Sequence, residues 1–180
     1  KESSAASDVY KRQVYLGADI FSARGNAGNF NREQLLEAVK YCHARNVAVH
    51  LACNTLIHDD EMESALNLIK YACEIGIDAI IIQDIGLVSL IRKAAPNMTL
   101  HASTQMSVHT AEAAKMLYDM GFERVVLARE LSKTEIKEIA DKLKSMNCPI
   151  ELEVFVHGAL CMSVSGQCYM SAMLGGRSGN

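Results

Sequence analysis

The chain has 180 residues, of which 49% are apolar and 22% are charged, and its formal net charge is −3. This composition is typical of one globular domain with a hydrophobic core, and the charge gives no electrostatic argument for binding nucleic acid. No apolar run reaches the roughly 18 residues that a membrane span needs. We therefore expect a cytoplasmic protein with no membrane partner.

We interpret the chain as a fragment that is truncated at both ends. Residues 1–13, "KESSAASDVYKRQ", show neither helical nor strand periodicity, and we expect them to be a non-native or disordered leader. The last residues, "GGRSGN", have the composition of a glycine-rich loop that continues further. Residues 14–180 are then one partial domain.

From residue 14 onward, short apolar segments alternate with amphipathic helical segments. The predicted strands are residues 14–17, 47–54, 79–83, 99–103, 124–128 and 150–156. Capping boxes beginning at Asn31 ("NREQ") and Ser132 ("SKTE") predict the first turns of two helices, and Gly76 and Gly121 predict the ends of two others. Strands that are separated by helices imply parallel pairing with right-handed crossovers.

The predicted strands have one apolar face and one mixed face. In the second strand, one face carries Val47, Val49, Leu51 and Cys53, and the other carries Ala48, His50, Ala52 and Asn54. The apolar row can pack on helices while the polar row converges on a common interior, which favours a barrel over an open doubly wound sheet. A full (β/α)₈ barrel takes about 250 residues. We therefore predict an α/β fold, an incomplete TIM-like (β/α) barrel with about six βα units.

In such a barrel, functional groups lie at the carboxyl ends of the strands and on the loops that follow. On this basis the predicted catalytic residues are Glu153, His157, Arg129 and Glu130. The predicted substrate-binding residues are Asn54, Gln83, Asp84, His101, Ser103 and Gln105. Glu153 lies in an otherwise apolar strand and needs partners, for which Arg129 and His157 are candidates. The alternatives are that Asp84 and Ser103 only cap helices and that a Glu–Arg pair is purely structural.

Cys161 and Cys168, in "CMSVSGQC", leave several chemistries open. A cysteine nucleophile would need a base, for which His157 or His101 is a candidate. A disulfide is disfavoured in a cytosolic chain. Thiolates also ligate zinc and iron–sulfur clusters, but two cysteines are only half of a closed site with about four ligands.

The segment "EVFVHGALCMSVSGQCYMS", residues 153–171, resembles the signature of peptidase family U32, the collagenase-like proteases. The signature positions are Glu153, Phe155, Gly158, Ala159, Leu160, Cys161, Gly166, Cys168, Met170 and Ser171. "VYLGADIFSARGNAGNF", "HASTQMSVHT" and "VVLARELS" are also similar to the family, so the resemblance covers residues 14–180. It implies a barrel-like catalytic domain and, in longer relatives, a further cysteine pair soon after "GGRSGN".

The resemblance implies more than one activity. Some members are described as proteases, with collagen as the historical substrate. Others hydroxylate bases of ribosomal or transfer RNA, or the ubiquinone ring, and in those a 4Fe-4S cluster is held by cysteines, of which Cys161 and Cys168 match the first two. "HASTQM" and "GQC" are similar to the ribosomal-RNA branch.

We therefore expect an iron–sulfur-dependent hydroxylation protein that acts on an RNA base. One alternative is a peptidase that acts on a protein or peptide substrate with Cys161 and His157, or with an unrecognised metal. The other is a non-catalytic iron–sulfur assembly or binding protein that works with a partner subunit.

Overall fold

A computed structural model describes residues 12–23, 28–158, 161–168 and 173. Most of the expected leader lies outside these ranges. So do four positions of the family signature, Ala159, Leu160, Met170 and Ser171. The first strand begins at Gln13, one residue inside the segment that we assigned to the leader.

Strands and helices alternate along the described chain. The strands are β1 (Gln13–Gly17), β2 (Ala48–Cys53), β3 (Ala79–Ile82), β4 (Leu100–Ala102), β5 (Arg124–Val126) and β6 (Glu151–Glu153). The helices are α1 (Arg32–His43), α2 (Met62–Ile75), α3 (Ile85–Ala94), α4 (Ala111–Asp119) and α5 (Lys133–Ser145), and 3₁₀ turns lie at Asp59–Glu61 and Thr104–Met106. All predicted strands are confirmed. The largest difference is at the last one, which ends at Glu153 instead of residue 156.

The strands form one parallel sheet in the order β1-β2-β3-β4-β5-β6, and this sheet curls into a half-barrel. The curl brings the inner faces of the first and last strands together, since the Tyr15 hydroxyl on β1 donates a hydrogen bond to Glu153 on β6. The predicted incomplete (β/α) barrel is confirmed. No helix in the described ranges is long and apolar enough to cross a membrane.

The hydrophobic core lies between the outer face of the sheet and the helices. Its fully buried strand residues include Val49, Leu51, Ile80, Ile82, Leu100 and Val125. They pack with helix residues such as Leu35, Leu87 and Ile91. Burying each such side chain is worth about 1.5–3 kcal/mol, so the apolar row of each strand fixes which face turns outward to the helices.

The predicted helix boundaries are confirmed. Asn31 and Ser132 form capping boxes with the residues three positions later. Gly76 and Gly121 have φ angles of +83° and +97°, a conformation that glycine adopts at little cost.

Candidate functional site

A network of charged and polar side chains crosses the interior of the half-barrel. Glu153 Oε1 accepts a hydrogen bond from the Tyr15 hydroxyl at 2.6 Å, and Glu153 Oε2 lies 3.1 Å from Arg124 Nη1. Arg124 also binds Glu151 through Nη2 at 2.6 Å and the side-chain oxygen of Gln13 at 3.1 Å. The guanidinium side chain is only 19% exposed, so it depends on these acceptors to offset the loss of water.

Glu153 therefore has different partners from those that we expected. Arg129 lies beyond the end of β5 and contacts the cysteine segment instead, and His157 is exposed and makes no hydrogen bond within the described residues. The reason is the strand register. Arg124 stands directly opposite Glu151, on the inner face that also carries Glu153, so its side chain reaches both carboxylates.

Two histidines line the same interior. His50 and His101 are 5% and 4% exposed, and their rings meet edge to face with centroids 4.8 Å apart. Burial and the positive charge of Arg124 lower the pKa of His101 to about 3, and the same causes lower the pKa of His50. Within the described residues the Nδ1 atoms of both rings lack a hydrogen-bond partner. Both imidazoles are neutral at neutral pH.

A cavity of about 390 Å³ opens at the amino ends of the strands. It is lined by the two histidines, by Arg124 and by residues that precede strands, such as Asp78, Thr99 and Glu123. Functional groups of (β/α) barrels lie at the carboxyl ends of the strands. The cavity is thus at the other end of the strands from Arg129, Glu130 and His157, whereas Glu153 contacts its lining residue Arg124.

Three of the predicted substrate-binding residues meet at the carboxyl ends of β2 and β4. Asn54 Oδ1 accepts a hydrogen bond from the Ala23 amide at 3.1 Å, and Asn54 Nδ2 lies 3.5 Å from Ser103 Oγ. Ser103 Oγ in turn accepts from the Gln105 amide at 3.2 Å. We call this end of the sheet, with the loops that follow β2–β5, the rim.

Asp84 at the rim acts as a helix cap, which was one of the alternatives. Its two oxygens accept hydrogen bonds from the Leu87 amide at 3.0 Å and the Ile57 amide at 3.1 Å, so it joins the start of α3 to the loop after β2. Gln83 is half-buried beside it and makes no hydrogen bond in the part of the chain that the structure describes.

The cysteine segment, residues 161–168, contacts the rim through Ser165. The Ser165 hydroxyl accepts from the backbone amide of Arg129 at 3.1 Å and from its Nε at 3.2 Å. The Ser165 amide donates to Glu130 Oε1, and its carbonyl accepts from the Ser107 hydroxyl. Arg129 also donates to the Ser163 carbonyl at 3.3 Å. Two predicted catalytic residues, Arg129 and Glu130, thus contact the segment that carries the cysteines.

These contacts change the acid–base properties of two groups. Burial opposes the ionisation of Glu130, but hydrogen bonds from backbone amides and from Ser165, together with His109, hold its pKa below the ordinary value. A backbone hydrogen bond from Ser163 and the neighbouring Arg129 guanidinium lower the pKa of the Cys161 thiol. Cys161 is exposed and Cys168 is buried. The pKa shift therefore favours the thiolate form of the exposed Cys161.

A sequence profile of Peptidase family U32 matches residues 2–180. The chain belongs to peptidase family U32.

Two curated relatives carry different functional names. A 23S rRNA 5-hydroxycytidine C2501 synthase from Escherichia coli is 42% identical over 167 residues, which cover 93% of this chain and 24% of that protein. A protein from Methanocaldococcus jannaschii, named as an uncharacterised protease, is 39% identical over 167 residues, which cover 93% of this chain and 40% of that protein. The chain thus spans between a quarter and two fifths of the length of these relatives.

Among solved structures, a U32 peptidase superposes on the chain with a TM-score of 0.65 at 14% sequence identity. The match covers 83% of this chain and 62% of that one. At this identity the likeness concerns the fold, and it confirms the TIM-like architecture.

Sequence reasoning missed three residues that organise the interior and the rim. Arg124 and Tyr15 lie on the same inward row as Glu153, and strict alternation along each strand could have found them. Ser165 lies between the two cysteines with no periodic pattern around it, and no sequence signal marks it.

The residues present fit half of an iron–sulfur ligand set. Such clusters are usually held by four cysteine thiolates. Cys161 and Cys168 supply two thiols, and the lowered pKa of Cys161 suits a thiolate ligand. Within the described ranges, no group of three or more His, Cys, Asp or Glu residues could hold a metal ion by itself.

Proposed function

We propose that this chain is part of a cytoplasmic enzyme that hydroxylates an RNA base, with a 4Fe-4S cluster held in part by Cys161 and Cys168. The observation that carries the proposal is the contact of the cysteine segment with the rim through Ser165, Arg129 and Glu130. Through this contact, the segment between the two cysteines lies against polar strand ends. The name of the Escherichia coli relative supports an RNA base as the substrate.

The rim offers groups that suit a nucleobase. Proteins that act on RNA bases recognise them by hydrogen bonds to the base edges. Asn54, Gln83, Ser103 and Gln105 bring amide and hydroxyl groups to this end of the sheet. We propose that they bind the base while the negatively charged RNA backbone contacts other parts of the protein, because this chain carries a net charge of −3.

Three of the four predicted catalytic residues, Arg129, Glu130 and Glu153, are held by hydrogen bonds. A bound cluster would supply one-electron transfer. Arg129 and Glu130 hold the segment that carries its ligands. Glu153 has both carboxylate oxygens engaged, by Tyr15 and by Arg124. Burial raises the pKa of the Tyr15 hydroxyl and its hydrogen bond to Glu153 raises it further, so Tyr15 keeps its proton and Glu153 remains the acceptor.

Peptide hydrolysis is the second candidate, because the relative from Methanocaldococcus jannaschii is named as a protease. A cysteine peptidase needs a thiolate and a base within hydrogen-bond reach. The lowered pKa of the Cys161 thiol favours the first condition. His157 is exposed and makes no hydrogen bond in the described part of the chain, and His101 is buried in the interior of the half-barrel. The geometry thus gives more support to the hydroxylation proposal.

Iron content tests the cofactor. The complete gene product is purified without oxygen, and its iron, its sulfide and its visible absorbance are measured for the wild type and for Cys161→Ala and Cys168→Ala. We expect about four iron atoms per chain in the wild type and a marked loss in both variants. Cys73→Ala, which removes an exposed cysteine on α2, is the matched control and retains its iron.

RNA analysis tests the reaction. Nucleosides from a strain without the gene are compared by mass spectrometry with those from strains that express the wild type, Cys161→Ala or Cys73→Ala. We expect one hydroxylated nucleoside to return with the wild type and Cys73→Ala only. An iron-free protein that cleaves peptides would establish the peptidase instead. Iron binding with an unchanged set of nucleosides would indicate a non-catalytic assembly or binding subunit.

A further inference from the structure

Ser165 is the most completely enclosed polar residue of the cysteine segment. It is 0% exposed, and its hydroxyl, amide and carbonyl are all hydrogen-bonded, by Arg129, Glu130 and Ser107 respectively. A buried polar group that loses its partner costs about 1–3 kcal/mol. The three groups on one residue therefore fix the middle of the segment in position and in orientation. We call Ser107, Arg129, Glu130 and Ser165 the Ser165 latch.

The next residue brings the backbone itself against the rim. Gly166 has a φ of +73°, and a Cβ at this position would lie 2.2 Å from the backbone oxygen of Gln105 and 2.8 Å from Ser107 Oγ. Only glycine permits so close an approach. The segment thus contacts the 3₁₀ turn after β4 directly, in addition to its hydrogen bonds with the loop after β5.

The two cysteines flank this fixed point and differ in exposure. Cys161 precedes Ser165 and is exposed, whereas Cys168 follows Gly166 and is buried. The hydrogen bonds that hold Ser165 between them are all made by groups of this chain.

We propose that Ser165 is a positioning residue for the two thiols, and that the latch holds the Cys161–Cys168 segment on the rim before any cluster binds. In the metal-free protein Cys168 is then already buried, and Cys161 is exposed where iron can reach it. The inference rests on the proposed function only for the identity of the ligand. The arrangement of the thiols in the metal-free protein can be tested separately.

The first test is the alkylation rate of each cysteine in the metal-free complete gene product, treated with iodoacetamide and followed by peptide mass spectrometry. In the wild type we expect Cys161 to react at least about tenfold faster than Cys168, because alkylation of a buried thiol requires local opening. Ser165→Ala leaves the Arg129 amide unpaired and should raise the Cys168 rate at least about tenfold. Ser89→Ala, which removes an exposed hydroxyl on α3, should change neither rate.

Glu130→Gln provides a milder variant in case Ser165→Ala fails to fold. It keeps an oxygen that can accept from the Ser165 amide but removes the charge, so the Cys168 rate should rise by less than in Ser165→Ala. Glu138→Gln, on the exposed side of α5, is its control. Circular dichroism and the Tm identify variants that are unfolded as a whole.

The second test uses the loaded protein and a spectroscopic signal. After reconstitution with iron and sulfide, Ser165→Ala should show an altered visible spectrum and should lose its cluster to a chelator several-fold faster than the wild type. If the wild type binds no iron while Ser165→Ala still exposes Cys168, the latch is supported and the cluster proposal is wrong. If Ser165→Ala, or Glu130→Gln where the first is unfolded, leaves the Cys168 rate at the wild-type value, the latch is overturned.

Discussion

The interior of the half-barrel and its rim each use an arginine together with carboxylate groups, but in different ways. In the interior, Arg124 binds Glu151 and Glu153, so charge is paired with charge between neighbouring strands. At the rim, Arg129 and Glu130 do not pair with each other in the contacts that hold the cysteine segment. Both bind the uncharged Ser165: Arg129 donates to its hydroxyl from the backbone amide and from Nε, and the Glu130 carboxylate accepts from its backbone amide.

The difference shows what each region requires. The inner faces of β5, β6 and β1 are held by side chains that attract one another once the sheet has curled. The rim has to hold a loop, whose amide and carbonyl groups need partners because no neighbouring strand supplies them. Charge pairing therefore stabilises the curvature of the sheet, and hydrogen bonds to the backbone stabilise the loop that carries the chemistry.

Arg124→Met should have the largest effect, because it leaves two carboxylates without their cation. We expect a loss of about 3 kcal/mol in the free energy of unfolding, measured by urea denaturation. Arg45→Met, at an exposed arginine after α1, is the control and should cost under about 0.5 kcal/mol. Equal losses in the two variants would show that the interior charges do not stabilise the half-barrel.

The buried histidines predict how the interior responds to acid. Folded His101 has its pKa lowered to about 3 from an ordinary 6.5, so between these values the unfolded chain binds the proton and the folded chain does not. Stability should therefore fall as the pH falls from about 6.5, by at most about 1.4 kcal/mol per pH unit for this residue.

The variant His101→Gln removes that titration and should flatten the dependence of the unfolding free energy on pH. His50 retains its own lowered pKa, so part of the slope should remain. His58→Gln, at an exposed histidine, is the control. A wild-type protein whose stability is constant between pH 6.5 and pH 4.5 would contradict the assignment of two neutral interior imidazoles.

Gly166→Ala should lower the local stability of the cysteine segment at the rim and leave the stability of the interior unchanged. The Cβ would meet the Gln105 backbone, and we expect the opening free energy of residues 161–168 to fall by about 2 kcal/mol, measured by hydrogen exchange. Gly158→Ala is a matched control, because Gly158 also has a positive φ but no atom within 4 Å of the added Cβ. Loss of protection in β5 and β6 would show that the two regions are coupled.

Asp84→Ala should have the smallest effect, about 1 kcal/mol of unfolding free energy, because it removes the cap of α3 and one contact with the loop after β2. Asp60→Ala, at an exposed acidic residue, is the control. If Asp84→Ala preserves stability but abolishes the RNA modification, Asp84 binds substrate as we first predicted, and its role as a cap is secondary.

Local patterns in the sequence were sufficient for most of the fold. The alternation around His50 identified the inner face of β2, and the capping boxes at Asn31 and Ser132 identified the starts of two helices, since each depends on residues a few positions apart. The partners of Glu153 depend on the register between β5 and β6 and on the curl that brings Tyr15 across, neither of which a local pattern contains. The Ser165 contacts depend on a loop that turns at a positive φ.

The order of the strands also has a consequence for how the chain folds. Every strand pairs only with its neighbours in the sequence, so each βα unit can join the sheet as soon as it follows the previous one. The hydrogen bonds from Tyr15 to Glu153 and from Arg124 to Gln13 are different, because they join residues 138 and 111 positions apart. During synthesis the contact with Gln13 can form only after β5 has been made, and the contact with Glu153 only after β6. A nascent chain that stops before β6 can form the sheet from β1 to β5. Its Arg124 still lacks the carboxylates of Glu151 and Glu153, because both lie on β6.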